Sequence, residues 1–413
     1  MKILLKSAKI IDKSSKYHLQ VNDILIEKGI IIKIAKNISK PSNAQVVELE
    51  NLHISNGWFD TSVSFGEPGF EERETIENGL KVALKSGFTA IALNSNPVID
   101  NSASVTFLKS KAKESMCDLY PIASLSKGAQ SNELAELYDM KNAGAIAFGD
   151  FQKSISNANL LKIALQYAQN FNGLILSFPQ DNSVGKGFVN EGENSVKLGL
   201  KGIPNLAEEL QIARDLYLLE YTGGKLHIPC ISTEKSVKLI AQAKKKGLDV
   251  TCSVAAHHLF LTDEEILSFN TNAKVLPPLR TKKDQKALIK AVKSGVIDMI
   301  TSNHLPIDIE HKKTEFENAQ FGTIGLESLF GTVNGIIDLE LLIETLTTKP
   351  LKRFGLPVSV IEEGGKANLT LFNPNIEYVF LEEDIYSTSK NSAFINKKLK
   401  GKVYGVCKEK LMI

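Results

Sequence analysis

The chain has 413 residues, 43% hydrophobic and 23% charged, the make-up of a globular protein with room for one large domain and a smaller one. Its 49 basic residues against 47 acidic leave a net charge of +2, which gives neither the basic footprint of a nucleic-acid binder nor a membrane-surface signature. Cys117, Cys230, Cys252 and Cys407 are far apart and form no Cys-x-x-Cys pair, which argues against a zinc ribbon or a disulfide framework. The opening Met1-Lys2-Ile3-Leu4-Leu5-Lys6 is charged too early for a signal peptide, and no apolar run approaches the ~20 residues of a spanning helix. A reduced, cytoplasmic setting is the expectation.

In chain order, residues 2–11, 23–27 and 30–34 are short apolar or β-branched runs punctuated by Gly or Asn, and read as strands. Strand-like and helix-like segments then alternate. The strand candidates are 88–93, 144–148, 174–176, 225–228, 249–254 and 297–300; helical patterns such as 208–220 and 233–246 separate them. The last residues return to strands, at 367–372 and 402–406. Alternating βα units imply a parallel sheet, and this many imply a closed (β/α)₈ barrel, predicted over residues 55–355. Residues 1–54 and 356–413 are each too short for a core of their own and are expected to combine in one small β-sandwich. The rival, an open doubly wound sheet, lacks the Gly-x-Gly-x-x-Gly turn of a dinucleotide site.

Candidate chemistry centres on Gly57-Trp58-Phe59-Asp60-Thr61-Ser62-Val63-Ser64, continuing through Phe65-Gly66-Glu67-Pro68-Gly69-Phe70. On a strand, residues i and i+2 share a face, so Ser62 and Ser64 point the same way. Further segments follow in order: Asn94-Ser95-Asn96-Pro97-Val98-Ile99-Asp100, Leu198-Gly199-Leu200-Lys201-Gly202-Ile203-Pro204 with Ala207-Glu208-Glu209, His257-His258-Leu259, Pro277-Pro278-Leu279-Arg280 and Gly325-Leu326-Glu327. Taken together, these resemble the dihydroorotase family of the amidohydrolase superfamily, in the form found in multifunctional or carbamoyltransferase-associated enzymes, over nearly the whole chain.

The resemblance implies an amidohydrolase-type barrel, and it places the family's metal and catalytic positions one by one. The His-x-His pair of the first strand falls on Ser62 and Ser64, a third His on Phe178, and a fourth on Cys230. The family's catalytic Asp falls on Asn303. Asp150 is retained where the family supplies a bridging carboxylate. Of the substrate contacts, an Arg falls on Gly66, an Asn on Leu276 and a His on Ile307, while Asn94 keeps its residue type. Serine hydroxyls are poor transition-metal ligands beside imidazole, and a hydrolytic site needs about three protein ligands and an open position. An amide at Asn303 has no basic site for taking a proton from water. The expectation is therefore a dihydroorotase-like member without catalysis and without a cofactor, zinc entering only if the alternative, an active dihydroorotase with an atypical site, holds. Such members imply a scaffolding role, with aspartate carbamoyltransferase as candidate partner, and a homo-oligomer is expected; no nucleic acid or membrane partner is.

Beside these stand plainer readings of the same residues. His227 reads as a satisfied core histidine, His257 and His258 as packing residues, His304 as a relic of the pocket, Cys230 as a small buried hydrophobe, and Asp150 as a carboxylate bonded to its own loop. A third functional reading makes Cys230 a nucleophile with His227 or His304 nearby.

Overall fold

The computed structural model describes residues 2–413. Eight parallel strands form the central sheet: Trp58–Val63, Phe88–Leu93, Asp118–Ala123, Ala147–Phe148, Leu174–Leu176, Lys225–Ile228, Val250–Ala255 and Met299–Thr301, each beside the next. The first two are buried along their whole length, as strands covered on both faces must be. A parallel bridge between Val63 and His304, with Ser64 N–H donating to the His304 carbonyl at 2.8 Å, joins the first strand to the segment after the last. The Asp60 carboxylate strengthens this seam. It accepts from Ser302 N at 3.0 Å, from Ser62 N at 3.1 Å and from the Thr301 hydroxyl. The arrangement is thus the barrel expected, not the open sheet.

Threonines start three of the surrounding helices. Thr75, Thr233 and Thr281 each accept from a backbone N–H of the first turn of the helices Ile76–Lys85, Glu234–Lys245 and Lys282–Lys293. The third barrel strand was not among the sequence candidates. Its Asp118-Leu119-Tyr120-Pro121 start carries a proline, which reads against a strand interior. Here the Pro121 carbonyl still accepts from Ile146 N at 3.0 Å, and the missing N–H is tolerated.

Both ends of the chain meet in one eight-stranded mixed sheet. Lys2–Ile10 pairs antiparallel with Val21–Glu27 and parallel with Ala44–Val47 and His53–Asn56. His53–Asn56 pairs antiparallel with Leu369–Val379, and that strand with Lys398–Cys407. Ile3, Leu5, Ile24, Ile54, Leu369 and Leu371 form its core. Among the described residues no helix is long and apolar enough to cross a membrane.

Candidate functional site

The mouth of the barrel is lined by Ser62, Asn94, Asp150, Gln152, Phe178, Cys230 and Asn303, brought together from the ends of six different strands or the loops after them. Ser64 joins them through Asn94. One hydrogen-bonded chain runs across the mouth: Asn94 Nδ2 donates to Ser62 Oγ at 3.1 Å and to Ser64 Oγ at 3.4 Å, and Ser62 Oγ donates to Asn303 Oδ1 at 3.1 Å. All these side chains are buried. What remains between them is a cavity of about 20 Å³, room for a single water, where ligand pockets run to ~300 Å³ and more. Cys230 (φ 53°) and Asn303 (φ 49°) are both held in the left-handed region, unusual for residues other than glycine and concentrated here at two strand ends.

Asp150 is turned away from any role as a free ligand. Its Oδ1 accepts from Leu125 N (2.8 Å) and Ser126 N (3.0 Å), and its Oδ2 from the Ser126 hydroxyl. Burial raises its pKa, against these bonds, which lower it. The Cys230 thiol is pushed up to about 12 by burial and by the Asp60 carboxylate, so it is a thiol rather than the thiolate that binds metal or attacks carbon. Neither histidine is hydrogen-bonded to it. His227 spends both ring nitrogens on Thr251 Oγ1 (2.9 Å) and Ser253 Oγ (3.2 Å). His304 accepts at Nδ1 from Gly325 N at 3.2 Å, and burial lowers its pKa to about 3. His258 meets the Pro277 carbonyl at 3.1 Å, and both ring nitrogens of His257 are buried without a partner. Among the described residues no group of three or more His, Cys, Asp or Glu side chains is placed to hold a metal ion. The zinc that the fold family implies does not fit this donor set, because the mouth offers one carboxylate already bonded to its own loop, one thiol, and otherwise hydroxyls and amides.

The three positions where the resemblance places substrate contacts differ in kind. A Cβ on Gly66 would stand 1.8 Å from the Phe70 carbonyl oxygen, so the turn that follows the first strand leaves no space there for arginine. Leu276 is half-buried, and its carbonyl accepts from Gln152 Nε2 at 3.1 Å, tying the loop to the mouth. Ile307 is buried, with its N–H donating to Asn391 Oδ1 at 3.1 Å.

Sequence reading passed over the carboxylates that hold the mouth together. Glu208 accepts from Ser232 N (2.9 Å), Thr233 N (3.1 Å) and the Ser232 hydroxyl, with the Arg280 guanidinium 4.0 Å away. Arg280 donates in turn to Ser232 Oγ, Asn190 Oδ1 and the Ile203 carbonyl. Glu74 accepts from Thr388 N at 2.9 Å, and Glu327 from Ser387 N at 3.0 Å. Glu208 and Glu327 lie in segments that carried the resemblance, and nothing in the residue letters marked Glu74 or Glu208 as buried.

Comparison with known proteins bears on the fold and the family. Residues 53–236 match the family model described as dihydro-orotase-like, and residues 190–409 the amidohydrolase family model. The solved structure of L-hydantoinase (dihydropyrimidinase) from Arthrobacter aurescens superposes with a TM-score of 0.85 at 20% identity, covering 98% of this chain and 94% of the other. Dihydropyrimidinase from Brevibacillus agri gives 0.81 at 19%, covering 99% and 94%. The fold is that of the amidohydrolases.

Relatives named dihydroorotase extend over the whole chain. That of Caldicellulosiruptor saccharolyticus is 41% identical, covering 96% of this chain and 95% of its own. The proteins of Ruminiclostridium cellulolyticum (40%; 95% and 94%) and Syntrophus aciditrophicus (38%; 98% and 97%) are similar. The chain belongs to the dihydroorotase family.

Proposed function

We propose that this chain is a dihydroorotase-family protein of pyrimidine biosynthesis that does not itself interconvert carbamoyl-aspartate and dihydroorotate. The observation that carries this is the closed mouth, in which Asn94, Ser62, Ser64 and Asn303 satisfy one another around a cavity of about 20 Å³. Without a Lewis acid, water keeps a pKa near ~15.7, and no basic group stands free at the mouth to deprotonate it. A chain kept folded around such a mouth acts through its surface, and a carbamoyltransferase that supplies carbamoyl-aspartate is the partner this reading favours. The second reading, an active dihydroorotase with an atypical site, is favoured by the relatives' names at 38–41% identity over nearly full length. Those names support the pathway and the pocket's ancestry; they do not speak for inactivity, which rests on the mouth alone.

The test pairs elemental analysis of protein purified without chelators with a dihydroorotase assay in both directions. The expected result is no stoichiometric zinc and no turnover above background, with Asn303→Asp alone restoring nothing. About one zinc per chain, with turnover abolished by Asp150→Ala, overturns the proposal in favour of the active enzyme.

A further inference from the structure

Beside the mouth lies a second, larger recess. It opens between the loop after the first barrel strand, with Glu67 and Pro68, and the helix Ser102–Lys111 that follows the second strand. Leu93, Ile99 and Leu108 form its buried apolar floor, and Val98 and Phe107 stand 39% and 38% exposed at its rim. Its volume is about 330 Å³, roughly twice that of an apolar cavity that takes one benzene, and within the range of small-molecule sites. Asn94 is the only residue it shares with the mouth, and the Asn94 amide is spent there on Ser62 and Ser64.

One carboxylate stands in its wall. Glu67 accepts from Ile76 N at 2.9 Å with one oxygen, and with the other from Lys111 Nζ at 2.6 Å. The Glu67 side chain is nearly buried, whereas that of Lys111 is half-exposed. The same ammonium stands 5.4 Å from the centre of the Phe107 ring. Ala103, Phe107 and Lys111, at i, i+4 and i+8, share one side of their helix. Glu67 first, with Glu71 and Glu77 behind it, raises the pKa of Lys111. A carboxylate, an aromatic face and an apolar floor thus stand together, and the cation that joins the first two is the tip of a flexible side chain.

We propose that this recess binds a small apolar amine, a single ring on a short chain ending in a primary ammonium, with Lys111 as its internal stand-in. The ligand's ammonium takes the place of the Lys111 ammonium between Glu67 and Phe107, and its ring covers Leu93, Ile99 and Leu108. The exchange is like for like. Each group is an ammonium with three donors, so Glu67 keeps its counter-charge and Phe107 its cation. Lys111 turns out to water, which costs little for a pair whose lysine is half-exposed. What the ligand adds is the burial of its ring, which Lys111 cannot supply. A neutral molecule of the same shape gains the floor but not the carboxylate. An anion meets Glu67, Glu71 and Glu77 with only Lys111 to offset them. The site goes beyond the proposed function and does not depend on whether the mouth hydrolyses anything.

Isothermal titration of the full chain at neutral pH with 2-phenylethylamine should give one saturable site with a Kd below about 1 mM. 2-Phenylethanol and 3-phenylpropionate keep the ring but lose or invert the charge, and should bind at least ~10-fold more weakly. Butylamine, the charge without the ring, should be weaker by a similar factor. Ala103→Phe fills the recess from an exposed position and should abolish binding. Glu67→Gln keeps an oxygen for Ile76 N and should erase the preference for amine over alcohol. Lys111→Met removes the stand-in but keeps an apolar stem, and should tighten amine binding about 5-fold. Far-UV circular dichroism and Trp58 fluorescence of each variant should match the parent chain, so that altered binding reports on the recess. Equal binding of the three ring compounds, preference for the carboxylate, binding indifferent to Ala103→Phe, or no saturation at roughly 10 mM amine overturns the assignment. So does an amine affinity that Lys111→Met leaves unchanged or weakens.

Discussion

Replacing Glu208 by alanine should destabilise the barrel far more than its position on a surface helix suggests. The carboxylate is 1% exposed and takes N–H bonds from Ser232 and Thr233 at the start of the helix Glu234–Lys245. It is also a counter-charge for Arg280, which is 3% exposed. Removing it leaves two backbone donors without their partner and a buried guanidinium short of one carboxylate. Breaking a buried pair on one side costs ~3–5 kcal/mol, and each orphaned donor ~1–3 kcal/mol. These overlap, and the more distant Asp284, Glu209 and Asp263 soften the first, so about 4 kcal/mol is the expected loss. Urea unfolding followed by the fluorescence of the only tryptophan, Trp58, buried in the first barrel strand, measures it. Glu209→Ala, which removes the pair with a largely exposed Lys235 and only a distant counter-charge of Arg280, is the control and should cost under about 1 kcal/mol. A loss below 1 kcal/mol for Glu208→Ala would falsify the view that the family's recognisable segments persist here as structural fastenings.

The remaining expectations concern titration and thiol chemistry. Lys312 is 4% exposed, its ammonium donates only to the carbonyls of Thr271, Lys274 and Gln320, and burial lowers its pKa to about 7. The unfolded chain therefore binds more protons above pH 7, so stability should rise between pH 7 and about 8.5, by roughly 1–2 kcal/mol, a slope that Lys312→Met removes. Above that range the sign reverses, because burial pushes the Cys230 and Cys407 thiols up to about 12 and unfolding then releases protons; urea midpoints across pH measure both arms. Under native conditions none of the four buried cysteines should react with a thiol reagent within minutes, and all four should after denaturation. Rapid native labelling lost in Cys230→Ser would revive the nucleophile reading.

What could be read from residues alone divides along a physical line. The barrel was legible because parallel strands buried on both faces read as near-continuous apolar runs, as Phe88–Leu93 and Leu174–Leu176 do. The proline at 121 hid one strand, because a rule about lost donors does not know whether a donor is needed. Of the candidate site, residues alone offered a set of positions, and Ser62, Phe178, Cys230 and Asn303 line one small cavity. How those replacements settle together was not legible. Whether two serines and two asparagines leave a wet, open pocket or satisfy one another depends on distances of 3.1–3.4 Å that no alignment of letters carries.

The same line separates the motifs by what they were retained for. Glu208, Arg280 and Glu327 sit in segments that carried the resemblance, and they, like Glu74, are spent on hydrogen bonds that tie distant segments of the chain together. Removing Glu208, Arg280 or Glu327 would orphan buried partners whatever the pocket does, whereas a serine or phenylalanine at the mouth costs the fold little if it is satisfied or apolar. Under the proposed reading, these fastenings answer to the fold, and the residues at the mouth answer to packing and hydrogen bonding rather than to a reaction. Asp60 shows the distinction within a single strand. It lies two residues before Ser62, is fully buried, and still bonds Thr301 and Ser302 across the seam that closes the barrel. On that one strand, Ser62 lines the mouth while Asp60 closes the barrel.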